Sequence, residues 1–357
     1  MKISPASPVC LGLAAALVSW PAPGCETAQP GLPLPKVAAP ARDGPKVLTS
    51  TVTDARAGAA PLLDMVAVPG GRFTMGGAAR RGPRAALGAD ARRTVEVAPF
   101  LMSRTEVTQA QYEAVTGHNP SLYLGARLPV GRIGWYDAVR FANALSLREG
   151  LRPAYRLLDG RETPGERATR EYVEWDRSAD GYRLPTEAEW EWAAGDDAAL
   201  TPATSPPGPA CTAGSALDAV AWHCGNSAGK PQPVATLRAN RHGLHDMLGN
   251  ANEWVWDWFA PQTGPVEGVL RDPAGPASRP ATGPFKTLKG GSYLLPPVTL
   301  SASGRAGHVN FEYYWHHDFG IRLVRNAPGA SNPPRPARAA LMAPERPLAS
   351  RRDRSGA

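Results

Sequence analysis

Apolar and polar positions follow a helical period in only a few short stretches of this 357-residue chain, and each stretch carries its own end signals. From Tyr136 to Glu149, Ala138, Phe141, Ala142 and Leu145 recur every one to four residues on one face, and Gly150 stops the pattern. Two shorter helices are predicted from their caps. Thr108 with Gln111 forms a capping box, in which each side chain satisfies a backbone N–H that the first turn leaves open, and Gly117 closes the helix. After Pro185, Thr186 and Glu189 repeat the arrangement, Trp190 and Ala194 face inward, and Gly195 terminates. Strand signals fill much of the remainder. "MVAVPGGRFTMGG", from Met65 to Gly77, reads as two strands about Pro69-Gly70-Gly71. "EWVWDWF" sets Trp254, Trp256 and Trp258 on one face against Val255 and Asp257 on the other. No internal repeat is visible, and no helix longer than about four turns is predicted.

The ends of the chain lack this patterning. Residues 1–60 and 327–357 are rich in Pro, Ala and Gly and poor in aromatics, which predicts a leader with a Pro/Ala-rich linker (26–60) and a disordered basic tail (327–357) around one domain at 61–326. With 43% apolar residues, that domain can bury a large core. Nine of the ten tryptophans fall in this segment of little regular structure, which suggests a core of large rings under long loops.

The formal charge of +7 invites a nucleic-acid reading until the charges are located. Of 39 Lys/Arg and 32 Asp/Glu, the two flanks hold eleven and five, which leaves the domain with 28 against 27. A nearly neutral domain without a basic helix or stacking motif does not fit nucleic-acid binding.

The N-terminus has Lys2, then the apolar run "VCLGLAAALVSW", then "PAPGC" ending at Cys25. This is the pattern of a secretory signal over residues 1–25, and the run is too short to span a bilayer. The small residues before Cys25 resemble a bacterial lipobox, with Ala22 where Leu is usual, so lipid attachment at Cys25 stands beside plain cleavage. Either route takes the chain across the inner membrane, to the periplasm or, as a lipoprotein, the outer membrane. Cys211 and Cys224 then remain. In an oxidising compartment they read as one disulfide, worth on the order of 3 kcal/mol, with a metal site including His223 as the competing reading.

Several stretches together resemble the formylglycine-generating enzyme, or sulfatase-modifying factor, family: "RTEVTQAQYEAVTG", "GWYDAVRFANAL", "GYRLPTEAEWEWAAG", "DMLGNANEWVWDW", "LKGGSY" and "FGIRLVR", in order across residues 61 to 325. The resemblance implies an α+β fold, a single C-type-lectin-like domain of low regular secondary structure. In the family's enzymes two cysteines after G-G-S-Y bind Cu(I) and use O2 to oxidise a substrate cysteine, work suited to soft thiolates. Here the first position falls on Leu295 and the second near Leu300, and no cysteine follows Cys224. Asn252 stands where a tryptophan lines the enzyme's active site. Copper is therefore not expected.

The resemblance also implies a structural calcium site with carboxylates from Asp246 and Glu253 and backbone carbonyls from Gly249 and Ala251, hard oxygen donors that suit Ca2+. The competing reading of that stretch is a turn with exposed acids. His316, His317 and Asp318 have the residue types of an iron site, but neighbours on a strand should point to opposite faces. Asn252, Ser292, Leu295 and Arg305 are the candidate ligand pocket, Arg305 being placed to hold a carboxylate or carbonyl. These features predict a pseudoenzyme of the cell envelope, anchored to the membrane by lipid, which binds or scaffolds a peptide, glycan or envelope protein. The alternative is an oxidoreductase of the same family working at a site other than copper thiolate.

Overall fold

A computed structural model describes residues 62–76, 92–158, 173–195, 211, 216–260, 267–309 and 316–328. The expected leader and linker, and all but the first two residues of the expected tail, lie outside the described residues. In chain order the elements are β1 (Met65–Val68), β2 (Gly71–Met75), β3 (Arg93–Val97), β4 (Phe100–Ser103), α1 (Gln109–Thr116), α2 (Trp135–Arg148), β5 (Tyr155–Leu157) and β6 (Val173–Trp175). There follow α3 (Glu187–Ala194), β7 (Ala221–Trp222), β8 (Leu248–Gly249), β9 (Asn252–Trp258), β10 (Val269–Arg271), β11 (Phe285–Lys289), β12 (Ala306–Val309), β13 (Phe319–Ile321) and β14 (Val324–Asn326).

The caps act as the side chains require. Thr108 and Thr186 accept from the backbone N–H three residues on, and Gln111 and Glu189 return the bond to the cap. Gly117 ends α1 in the left-handed conformation, at φ 79°. α2 starts at Trp135, one residue before the expected start, and buries Ala138, Phe141, Ala142 and Leu145.

β9 is the organising strand. It pairs antiparallel with β11 and parallel with β13, in a four-stranded sheet of order β12-β11-β9-β13. The two faces alternate as expected, and both are buried, Val255 and Asp257 as well as Trp254 and Trp258. The reason is that β9 runs between two apolar clusters. Trp254 packs with Phe141, Leu145 and Ile321 on one side, and Val255 with Trp190, Leu248 and Leu300 on the other. The "MVAVPGGRFTMGG" pair divides between sheets: β1 joins β4 and β14, whereas β2 joins β3 and β10.

Tryptophans serve as packing, as expected. The Trp256 ring stacks on Tyr155 at 5.2 Å and lies near Trp135 and Trp175. Buried Lys286 donates to the Trp256 carbonyl at 2.8 Å, with its ammonium 4.2 Å from the Trp135 ring and 3.9 Å from that of Trp258. Ring faces thus take the place of water around that charge.

Candidate functional site

Strand β11 is followed by Gly290 and Gly291, both at positive φ, which L side chains rarely adopt. A methyl at 291 would meet Leu300 Cδ2 at 2.4 Å and Leu295 Cδ1 at 3.3 Å. Leu295 and Leu300 therefore converge over one glycine, and Leu300 is fully enclosed. The backbone N–H of Cys224 donates to the Leu295 carbonyl at 3.1 Å, and Cys224 is joined to Cys211 by a disulfide. That settles the cysteine pair as a disulfide. The competing metal reading fails locally, because His223 is buried against Asp218, with Nε2 at 2.8 Å from the carboxylate.

The double glycine turns Ser292 and Tyr293 inward, both fully buried. Ser292 meets Asp318, which precedes β13. The Asn252 amide donates to Asp318 Oδ2 at 3.0 Å, its backbone N–H to the Asp318 carbonyl at 2.8 Å, and His316 Nδ1 bonds the other carboxylate oxygen. Burial pushes the Asp318 carboxyl up, but hydrogen bonds from His316 and Ser292 and the nearby imidazoles outweigh it and hold it below the usual range. The same bond to Asp318 raises His316. His317 is lowered by burial first and by the neighbouring His316 next.

The histidine geometry corrects the expectation of opposite faces. The two residues lie in a turn before β13, and their rings sit 4.0 Å apart, tilted by 35°. Asp318 stands between Ser292 and His316, so the histidine does not face the hydroxyl and the trio lacks the order of a nucleophile with its base.

Beside this cluster lies a small cleft, open to solvent, with Gln109, Ser121, Tyr123, Tyr293, His317 and Asp318 in its wall. The four expected pocket residues do not line it. Asn252 and Ser292 stand behind Asp318, and Leu295 packs into the core. Arg305 is drawn away: it donates to Glu187 Oε2 at 2.8 Å and to the Ala260 carbonyl at 2.9 Å, with its guanidinium over Phe259.

The residues singled out for calcium form a second cluster. Asp246 and Glu253 are 2% and 1% exposed, which excludes a turn with exposed acids. Asp246 Oδ2 accepts from Ala235 N–H at 2.8 Å, whereas Oδ1 is buried with no hydrogen-bond partner in the protein. Glu253 takes Arg322 through Nε at 3.0 Å and Trp190 Nε1 at 2.6 Å. The motif "RTEVTQAQY" adds Glu106, fully buried with both carboxylate oxygens unpartnered. Burial, Asp246 and Glu253 push its carboxyl well above the ordinary value, and burial raises Asp246 as well. Three buried acids thus share one guanidinium, a deficit of positive charge that a hard divalent cation fits. Among the described residues no three His, Cys, Asp or Glu side chains are arranged around one metal position. The donors that the family resemblance implies are two carboxylates, Asp246 and Glu253, and two backbone carbonyls. The neighbouring His245 has its Nδ1 2.8 Å from the Leu237 carbonyl.

Comparison with known proteins accords with this architecture. The sulfatase-modifying factor enzyme 1-like domain matches residues 51–327. Chaperone protein LppX of Paenibacillus barcinonensis is 34% identical over 193 residues, 48% of this chain and 67% of that protein. The formylglycine-generating enzyme of Streptomyces coelicolor is 31% identical over 266 residues, covering 64% of this chain and 78% of the enzyme. Among solved structures, Treponema denticola variable protein 1 aligns with a TM-score of 0.59 at 29% identity, over 74% of this chain and 95% of that one. The fold is an α+β domain of the C-type-lectin-like kind. The chain belongs to the sulfatase-modifying factor, or formylglycine-generating enzyme, family.

Proposed function

We propose that this chain is a cell-envelope binding or scaffolding module that has kept the family's scaffold and given up its copper oxidation. The observation that carries the reading is the pair Leu295 and Leu300. On the family's pattern the first thiolate position falls on Leu295 and the second near Leu300, and the tips of these two leucines meet over Gly291 as hydrocarbon. Carbon offers Cu(I) no donor, and no cysteine follows Cys224 in the sequence. The signal-like first 25 residues and the Cys211–Cys224 disulfide support an oxidising compartment, with Cys25 as the lipid-attachment residue. A relative named as a chaperone supports binding in place of oxidation.

Calcium belongs to the same proposal. Asp246 and Glu253, with the carbonyls of Gly249 and Ala251, would hold the ion, which would supply the positive charge that the Glu106, Asp246 and Glu253 group lacks beside Arg322.

The test is direct. Purified protein mixed with Cu(I), O2 and a cysteine-containing peptide is expected to leave the peptide thiol intact and to take up no oxygen beyond the protein-free control. An aldehyde found in the peptide by mass spectrometry overturns the reading.

A further inference from the structure

The turn before β13 sets two imidazoles side by side at the surface. The rings of His316 and His317 have their centres 4.0 Å apart and are tilted by 35°. The His316 side chain is 49% exposed. His317 is partly exposed, and neither of its ring nitrogens is among the sealed polar atoms that lack a partner, so both are open to solvent. Among the described residues, no hydrogen bond is made by His316 Nε2 or by either ring nitrogen of His317. Three imidazole nitrogens are thus uncommitted at one spot on the surface.

One of the two rings is backed by a buried acid. Asp318 binds His316 Nδ1 and is itself fixed by the Asn252 amide at 3.0 Å and by Ser292. A proton held on Nδ1 leaves the lone pair on Nε2, and a carboxylate behind the ring both fixes its orientation and makes it the stronger donor. Such backing is the usual second layer of a histidine–metal bond.

The donors narrow the ion. Imidazole suits Zn2+ and not Ca2+, which takes oxygen ligands. An iron site of two histidines and a carboxylate would need Asp318 as a ligand, and its oxygens are engaged by His316, Asn252 and Ser292. A tetrahedral zinc at about 2.0–2.1 Å from each nitrogen sets two ring centres about 5 Å apart. The pair therefore has to open by about 1 Å, a movement open to the partly exposed His317 ring by rotation about its side-chain bonds.

We propose that His316 Nε2 and one ring nitrogen of His317 form a two-histidine zinc site, oriented by Asp318 and completed by water. The site shares no donor with the proposed calcium position and is independent of the loss of copper chemistry.

The experiment titrates Zn2+ alone into the full chain, with its free thiols alkylated and excess Ca2+ present, so that neither cysteine nor the acids around Asp246 take the ion. Calorimetry is expected to show one zinc per chain, and zinc should raise the melting temperature. His316→Ala and His317→Gln should each abolish both effects while melting, without zinc, as the parent chain does. His242→Ala, at the other turn with two histidines, should leave both effects in place. Imidazole 15N NMR reads the same site without any substitution: zinc should move the ring signals of two of the seven histidines. No zinc heat in the parent chain, binding that survives either single substitution, binding lost in His242→Ala, or ring signals that stay in place overturns the proposal. None of these outcomes alters the reading of the oxygen-uptake test.

Discussion

Asp257 lies on β9 with its Oδ2 accepting the Glu187 backbone N–H at 2.8 Å, at the first turn of α3. Burial first, and the Glu187 carboxylate next, raise its pKa from 3.8 to about 7, against the opposing pull of that N–H, Lys286 and Arg305. The folded protein therefore keeps a proton that the unfolded chain releases. Its contribution to stability is greatest below about pH 4 and declines as pH rises toward about pH 7. Asp257→Asn should remove that slope, so that melting curves of the two proteins diverge in favour of the variant across this interval. Parallel curves would contradict the assignment. At this scale the sequence revealed residues whose meaning depends on what they lack, such as Leu295 and Leu300. It hid those whose meaning depends on distant partners. Glu106, Asp246, Glu253 and Arg322 are spread over more than half the chain, and no local spacing joins them. Asp318 was visible only as one of three metal-type residues, because its anchors Ser292 and Asn252 come from distant parts of the chain.

The helices were legible because their ends are local. A cap needs only four residues, so Thr108 with Gln111 and Thr186 with Glu189 could be read without knowing the fold. Glu189 does more than cap, since it also takes both terminal nitrogens of buried Arg183 at 2.7 Å. Thr186→Ala should therefore cost about 1–2 kcal/mol in denaturant unfolding, the upper part of the usual range for a lost cap, because this cap is buried. No measurable change would mean that the Arg183 pair holds the turn by itself. Strand β9 shows the limit of local reading. Alternation reports faces, not what covers them, and the second cluster behind Val255 comes from α3 and residues near 248 and 300.

Taken whole, the molecule has short elements held by long-range pairing, which periodicity detects poorly. The fold was legible in the ordered series of motifs, because each marks a turn or cap the architecture needs, while the sheet orders and the cleft were not. The proposed calcium site has a global readout. An ion that binds the folded state alone raises stability by mass action. Calcium added to chelator-treated protein should therefore raise the melting temperature, and Glu253→Gln should reduce that response. A melting temperature indifferent to calcium would remove the ion from the account.

The two leucine tips over Gly291 also bear on how easily such a domain could change trade. On the proposed reading, restoring a pair of thiols is not a matter of two codons, because cysteine is the smaller residue and each exchange would open a void in the wall that Trp190 and Val255 share with Leu300. Packing of that kind acts as a ratchet, and the lineage that filled the hollow has made the return journey depend on rebuilding its neighbours as well.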